Sequence, residues 1–257
     1  AKAIREGFVY DGKYSVFRKR FHGAPVIDSA PEKLVVCIQN HDQIGNRAFG
    51  ERLSTLIDLD KQKVAAALLL LCPHTPLLFM GQEYGEIAPF QYFIDHKDAH
   101  LIRAVQEGRK REFAAFGWGN TPDPAAKKTF LNSQLHWKER AEPGHSSLLR
   151  FYTDLIALRK RKVVGASLSG VWFDEQNQWL AFSYAGKKGS RFGVVISFLD
   201  REQRIALPFG KGIFSSLWDS GHSRYGGKMY RVVKEQGRGV VTLPRYGVMV
   251  GEIRSHS

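Results

Sequence analysis

Two short apolar runs in the first third of the chain each end in a group of polar residues. LVVCI (34–38) is apolar at every position, which predicts a strand buried on both faces, and TPLLFMG (75–81) predicts a second strand. Between them, DKQKVAAALLLLC (60–72) predicts a helix that Asp60 caps and Pro73 ends. Strand, helix and strand within about fifty residues predict one βαβ unit with a parallel strand pair.

The rest of the chain predicts two helices and then a β-rich segment. AHLIRAVQEGRKREFAAF (99–116) and SSLLRFYTDLIALRKRK (146–162) have helical periodicity. From about residue 164, short strand-like runs are separated by turn residues, which is typical of an antiparallel sandwich or barrel. These runs are SGVWF, WLAFSY, FGVVISFL, RIALPF, VVTLP and YGVMVGEI. We predict an α/β part over residues 1–163 and an all-β domain over residues 164–257.

Composition narrows the class of protein. Of the 257 residues, 43% are hydrophobic and 25% are charged, as in globular proteins, and no apolar run approaches the roughly 20 residues of a membrane span. We therefore expect a soluble protein without a membrane partner. Cys37 and Cys72 each lie within an apolar run, so we expect free thiols and a reducing, cytoplasmic setting.

The net charge of +13 raises the question of nucleic-acid binding, because clustered Lys and Arg neutralise phosphates. The basic residues are instead spread along the chain, for example at 18–20, 109–111 and 159–162, and no base-stacking motif accompanies them. A solvated basic surface is the better explanation, and we expect no nucleic-acid partner. An affinity for nucleic acid that falls steeply with salt would support the alternative.

Polar side chains cluster where the two predicted parallel strands end. QNHDQIGNR (39–47) follows the first strand, and QEYGE (82–86) follows the second. The carboxyl ends of parallel strands form the rim on which α/β sheets and barrels place their active sites. So many hydrogen-bonding groups suit a ligand rich in hydroxyls, and neighbouring aromatic rings suit stacking on a sugar. The aromatic residues are Tyr84, Phe90, Tyr92, Phe93 and Trp118.

Structural roles are an alternative for the same residues. Asp42 can accept backbone N–H bonds in the turn after the strand while His41 merely packs. Phe90 and Phe93 can pack their own loop. The number of polar groups expected around one rim favours a saccharide site over these separate structural roles.

Several segments resemble one enzyme family. NHDQ (40–43) after an apolar strand resembles the fourth conserved region of the α-amylase family of glycoside hydrolases. Four longer segments resemble, in the same order, the maltooligosyltrehalose trehalohydrolases within that family. They are EGFVYDGKYSVFRKRFHGAP (6–25), VVCIQNHDQIGNRAFGERL (35–53), PLLFMGQEYGEIAPFQYFIDH (76–96) and EGRKREF (107–113). The resemblance covers at least residues 1–162 and extends more loosely through the β-rich tail.

This resemblance implies a fold and a reaction. The chain would be the C-terminal part of a (β/α)8 TIM barrel, with its seventh and eighth strands, followed by an antiparallel β-sandwich domain. The reaction would be hydrolysis of the α-1,4 bond next to the trehalose end of a maltooligosyltrehalose. It would follow a retaining mechanism, with a carboxylate nucleophile and a general acid about 5 Å apart. The oligosaccharide is the expected partner, and no cofactor or metal is expected.

The resemblance also implies roles for particular residues. Asp42 matches the carboxylate that stabilises the transition state, and His41 matches the neighbour that hydrogen-bonds the same sugar ring. Positive charge grows on the ring as the bond breaks, so a fixed carboxylate binds that state better than the ground state. The other substrate contacts that the resemblance implies are Asn40, Gln43, Arg47, Gln82, Glu83, Phe90, Gln91, Phe93 and Asp95.

The chain also departs from the family pattern. The family's nucleophile and general acid follow earlier barrel strands, and no segment here matches them, so we expect a fragment that does not hydrolyse a glycoside alone. The first residues, AKAIREGF (1–8), have helical character but no initiator Met and no N-cap, which also favours a fragment that starts inside an element; a processed or tag-cleaved start is the alternative. Val16 stands where the family often has Pro, which alters only a loop. Gln82 stands where the family often has Glu, and because glutamine carries no charge, this departure argues against a charge-based role at position 82. A different function also remains open: a non-catalytic carbohydrate-binding or interaction module that pairs with another copy or with the missing N-terminal part, because open barrel edges expose unpaired backbone groups.

Overall fold

A computed structural model describes residues 1–26, 29–114, 117, 121–210, 212–227, 232–235 and 238–255. The helices are α1 (Lys2–Glu6), α2 (His41–Gly45), α3 (Leu53–Leu56), α4 (Leu59–Leu71), α5 (Ala99–Ala114), α6 (Lys127–Asn132) and α7 (Pro143–Leu158). The strands are β1 (Asp11–Ser15), β2 (Arg20–Gly23), β3 (Val35–Val36), β4 (Thr75–Pro76), β5 (Ser167–Asp174), β6 (Trp179–Ala185), β7 (Arg191–Ser197), β8 (Gln203–Ala206), β9 (Gly212–Asp219), β10 (Val232–Glu235), β11 (Arg238–Leu243) and β12 (Val248–Ser255). Turns of 3₁₀ type include Gln82–Tyr84 and Trp137–Ala141.

The predicted βαβ unit is present. β3 and β4 pair in parallel with Val35 opposite Thr75, and α4 connects them along the chain. The backbone N–H of Thr75 donates to the carbonyl of Leu34 at 2.9 Å, and that of Leu77 donates to the carbonyl of Val36 at 2.8 Å. The prediction of a parallel pair is therefore confirmed.

Both parallel strands are shorter than the apolar runs that predicted them, since strand geometry is limited to Val35–Val36 and Thr75–Pro76. The prediction that the first strand is buried on both faces was wrong for this chain, because Val35 is 64% exposed. Among the described residues, β4 is the only strand that pairs with β3. A two-stranded pair leaves side chains uncovered that a wider sheet would bury.

The connecting helix α4 is apolar around most of its circumference, and its second half is buried. The buried residues include Val64, Ala67 and Leu70. Asp60 is not the cap: Asp58 lies just before the helix, and its Oδ1 accepts a hydrogen bond from the backbone N–H of Lys61 at 3.0 Å. A helix that is hydrophobic on most sides needs such burial to be stable in a globular protein.

The β-rich segment forms two antiparallel sheets, in the orders β5-β6-β7-β12-β9 and β10-β11-β8. Each of the six predicted runs contains a strand. The pattern missed β9, whose run GIFSSLWD places two consecutive serines inside the strand, and also β10 and the β1–β2 hairpin. Side chains from both sheets meet in one buried cluster formed by Ala181, Val195, Ile205, Phe209, Phe214, Val241, Leu243, Met249 and Ile253.

Residue contacts divide the chain into two compact units. The first comprises Ala1–Val36, Lys63–Leu77 and Arg150–Ser257, and the second comprises Cys37–Gln62 and Leu78–Leu149. The first unit holds the parallel pair and the antiparallel sheets. The second holds every residue that is predicted to contact the sugar. The domain boundary expected near residue 163 stays a prediction.

Two observations bear on the expectations from composition. Cys37 and Cys72 are both free thiols, and Cys72 is buried. Throughout the described ranges, no helix combines the length and the apolar character needed to cross a bilayer.

Candidate active site

The polar stretch that follows β3 folds into the short helix α2. Asn40 is its N-cap, and its side-chain Oδ1 accepts a hydrogen bond from the backbone N–H of Gln43 at 2.8 Å. The Asn40 Nδ2 lies 3.6 Å from Cys37 Sγ. Asparagine is among the preferred N-cap residues because its side chain satisfies an N–H group that the helix leaves without a partner. The capping role considered for Asp42 therefore belongs to Asn40.

His41 and Asp42 occupy the first turn of α2 and are open to solvent. Their side chains are 70% and 76% exposed, and His41 Nε2 lies 3.4 Å from Asp42 Oδ1. Neither side chain is buried within the turn. An imidazole and a carboxylate this close together can bond adjacent hydroxyls of one sugar ring, the carboxylate as acceptor and a ring N–H as donor.

The polar stretch that follows β4 is a tight turn. Gln82–Tyr84 form a 3₁₀ turn between two left-handed glycines, Gly81 with φ 83° and Gly85 with φ 72°. A Cβ at Gly81 would lie 2.6 Å from the Cβ of Glu86, so only glycine fits there. Gln82 is buried at 5% exposure, whereas Glu83 is half-buried.

Glu86 is fully buried beneath this turn, with hydrogen bonds to both carboxylate oxygens. Its Oε2 accepts from the Tyr84 hydroxyl at 2.8 Å and from the backbone N–H of His136 at 2.7 Å, and its Oε1 accepts from the backbone N–H of Ala88 at 2.8 Å. Burial opposes ionisation, but these bonds and the nearby His136 outweigh it and lower the pKa of Glu86. Burial and the adjacent carboxylate raise the pKa of Tyr84, so its hydroxyl stays a donor.

The lowered pKa of Glu86 implies that the free energy of unfolding depends on this carboxylate at low pH. Its carboxylate stabilises the folded state above the ordinary pKa of about 4.3, and this contribution is lost as pH falls through the lower folded pKa. We expect the free energy of unfolding to fall more steeply below about pH 4 in the wild type than in Glu86→Gln. Urea denaturation at a series of pH values measures this, with exposed Glu107→Gln as the control. Parallel pH profiles for the wild type and Glu86→Gln would contradict the assignment.

Arg52 was not predicted as part of the site. It is 1% exposed, its Nε donates to the carbonyl of Ala88 at 2.6 Å, and its Nη1 donates to the carbonyl of Met80 at 2.7 Å. Its guanidinium lies 4.9 Å from the centre of the Phe79 ring. One side chain thus ties the segment after α2 to both ends of the turn around residues 82–86.

The predicted aromatic contacts form a chain of edge-to-face rings. Phe90 lies 5.2 Å from Phe79 and 6.1 Å from Phe93, and Phe93 lies 5.2 Å from Phe130. The backbone N–H of Phe90 donates to the carbonyl of Gly50 at 2.8 Å, which fits the loop-packing alternative for Phe90. Phe93 is 38% exposed and keeps a surface for a ligand. Trp118 lies outside the described residues.

The remaining predicted contacts differ in accessibility. Arg47 pairs with Glu51 at 3.3 Å and lines a small cleft together with Gln91 and Tyr92. Gln91 is buried, and its backbone N–H donates to Ser133 Oγ at 3.0 Å. Gln43 and Asp95 are exposed. The structure therefore brings Arg47 and Gln91 together. It buries Gln82 and Gln91. The roles of all these residues as sugar contacts stay predictions.

A cavity of about 830 Å³ is present in the first unit, where Arg5, Pro31 and Arg159 contribute to its lining. None of the residues predicted to contact the sugar lines it.

Sequence comparisons support the family resemblance. No protein-family model matches the chain. The malto-oligosyltrehalose trehalohydrolase of Rhizobium sp. (strain M-11) is 44% identical over 216 residues, which cover 81% of this chain and 35% of that protein. The protein of the same name from Saccharolobus solfataricus is 48% identical over 159 residues, which cover 62% of this chain and 27% of that protein. The chain thus spans between 27% and 35% of the length of the curated relatives it matches.

Solved structures agree with this result. A crystal structure assigned as an alpha-amylase from Salmonella typhimurium matches 99% of this chain and 41% of that chain, with a TM-score of 0.79 and 32% identity. The alpha-amylase from H. orenii matches 86% of this chain and 40% of that chain, with a TM-score of 0.53 and 18% identity, and shows the fold alone. The resemblance to maltooligosyltrehalose trehalohydrolases that the sequence predicted is confirmed.

Proposed function

We propose that this chain, which resembles the maltooligosyltrehalose trehalohydrolases of the α-amylase family, is the C-terminal part of a glycoside hydrolase that releases trehalose from maltooligosyltrehalose. The observation that carries the proposal is the solvent exposure of the His41 and Asp42 side chains. Both side chains are more than two-thirds exposed at 70% and 76%, and Asn40 caps the helix in place of Asp42. The Asp42 carboxylate is therefore available to a ligand.

In the proposed reaction, Asp42 stabilises the transition state and attacks nothing. Cleavage of the glycosidic bond moves positive charge onto the ring, and a carboxylate held against the ring hydroxyls interacts more strongly with that state than with the ground state. His41 donates to a hydroxyl of the same ring. The nucleophile and the general acid come from a part of the enzyme outside this chain.

The exposure of the parallel pair supports the fragment proposal. Val35 on β3 is 64% exposed and Leu77, just after β4, is 41% exposed. Further barrel strands and helices would cover such apolar side chains. The relatives also extend well beyond the matched region, which supports a longer enzyme that carries a barrel and a C-terminal β-sandwich domain. We place this enzyme in the cytoplasm, because Cys37 and Cys72 are free thiols.

Trehalose release tests the proposed function. We expect the full-length enzyme to release trehalose from maltooligosyltrehalose with retention of anomeric configuration, because the family mechanism passes through a covalent intermediate. This chain alone should release none, because it lacks the nucleophile and the acid. Chromatography of the products and NMR of the new anomeric centre measure the two properties. Trehalose release by this chain alone would overturn the fragment proposal, and a full-length enzyme without trehalose release would overturn the substrate.

The same exposed residues favour a second candidate, an interaction module without catalysis. Apolar side chains on short strands, such as Val35, promote pairing with another polypeptide. Two results together would support this candidate over the hydrolase. This chain would sediment as a stable dimer, and the full-length protein would bind the oligosaccharide without hydrolysing it.

A further inference from the structure

We propose that Glu86, His136 and Glu139 bind a divalent metal ion of the zinc class. His136 Nδ1 lies 3.4 Å from Glu86 Oε1 and 3.2 Å from Glu139 Oε1. The three ligand atoms all lie within 4.8 Å of one another, and within the described part of the chain no other group of His, Cys, Asp and Glu side chains has this arrangement. None of the three residues is among the sugar contacts that the family resemblance implies, so the site goes beyond the proposed function.

Two of the three separations between the ligand atoms fit a tetrahedral ion. Zinc binds imidazole nitrogen at about 2.0–2.1 Å and carboxylate oxygen at about 2.0–2.2 Å, which puts two ligands of a tetrahedral ion about 3.4 Å apart. The distances from His136 Nδ1 to the two carboxylates are 3.4 and 3.2 Å. Three protein ligands leave one position of a tetrahedral ion for water.

A second observation points to a cation independently of these distances. Glu139 Oε2 is buried and has no hydrogen-bond partner in the structure. A carboxylate oxygen that is removed from water without a compensating donor is unfavourable. The Glu139 side chain as a whole is 23% exposed and its Oε1 faces His136, so Oε2 is the atom that lacks a partner. A metal ion bound by both oxygens of Glu139 would supply that partner.

The protein holds these ligands in place before an ion arrives. Tyr84 and two backbone N–H groups fix the Glu86 carboxylate, at distances of 2.7–2.8 Å. His136 precedes the 3₁₀ turn Trp137–Ala141, and Glu139 lies three residues after it, which is the spacing that places two side chains on the same side of a 3₁₀ turn. Such supporting contacts orient metal ligands and sustain affinity.

The ligand types select the metal. Imidazole suits zinc and its transition-metal neighbours, whereas calcium and magnesium prefer sites made only of oxygen. The His136 side chain is 56% exposed, so an ion can reach the site from solvent. A bound ion would hold Glu86, next to the 82–84 turn, against the segment that begins at His136. The sequence predicted no metal because Glu86 and His136 are fifty positions apart.

Zinc titration of the full chain tests the proposal. A chromogenic chelator in competition with the protein measures the affinity, and circular dichroism confirms that each variant is folded. We expect one zinc equivalent that His136→Ala and Glu139→Gln each weaken at least about 10-fold. The matched controls His100→Ala and Glu142→Gln, both exposed, should bind as the wild type does. Calcium should not compete.

The outcomes separate a metal site from simple ion pairing. Because the chain has 9 histidines, only the difference between the variants and their controls counts. Equal zinc affinity in the wild type, His136→Ala and Glu139→Gln would overturn the proposal and leave His136 as an ion-pair partner of the two carboxylates. Equal losses in the control variants would overturn it as well, because the binding would then be unspecific.

Discussion

Replacing Asp42 with Asn in the full-length enzyme should lower kcat for trehalose release by about 10³-fold, while KM changes little. Asparagine keeps the size of the side chain and can still accept a hydrogen bond, but it removes the negative charge. That charge interacts with the positive charge that develops on the sugar ring only as the bond breaks, so its loss affects the transition state more than the bound substrate. Steady-state kinetics on maltooligosyltrehalose measures both constants.

The control for this variant is Asp200→Asn, which changes an exposed aspartate of the β-rich segment in the same way. Its kinetics should match those of the wild type. Turnover by Asp42→Asn within a few-fold of the wild type would contradict the role of Asp42. A rise in KM with kcat unchanged would show instead that Asp42 only binds substrate.

Replacing Arg52 with Leu should lower the free energy of unfolding by about 3 kcal/mol. The buried Ala88 carbonyl and the Met80 carbonyl would both lose the guanidinium that donates to them at 2.6 and 2.7 Å. Glu86 would also lose a nearby positive charge. In the wild type, burial lowers the pKa of Arg52, and the negative charge of Glu86 partly offsets this effect. Urea denaturation monitored by circular dichroism measures the loss.

Arg47→Leu is the matched control, because it makes the same change at an arginine that is 39% exposed and pairs with Glu51 at 3.3 Å. Exposed ion pairs contribute little, so this variant should lose less than about 1 kcal/mol. Equal losses in Arg47→Leu and Arg52→Leu would show that Arg52 does not hold the turn around residues 82–86.

The fold could be predicted from the sequence where local pattern and packing agree. The run that became α4 consists mostly of strong helix formers and is apolar in its second half. The six β-rich runs alternate or are continuously apolar between turn residues, so periodicity and composition were enough to predict their strands. β9 was missed because consecutive serines interrupt its apolar pattern, and its place in the sheet depends on pairing with β12, which local sequence does not encode.

The candidate site could be predicted only in part. The NHDQ stretch predicted His41 and Asp42 as site residues. It did not predict that Asn40 caps the helix, which the structure shows. Arg52 was missed because arginine is normally exposed, and its burial depends on carbonyls 28 and 36 positions away. Partners this distant along the chain leave no periodic signal.

A crystal structure of the full-length enzyme with a bound, uncleaved maltooligosyltrehalose tests the central claim most directly. We predict that the Asp42 carboxylate and the His41 imidazole each lie within hydrogen-bond distance, about 2.6–3.2 Å, of hydroxyls on the same glucose ring, next to the bond to be cleaved. An oligosaccharide seated elsewhere, with both side chains still facing solvent, would contradict the account.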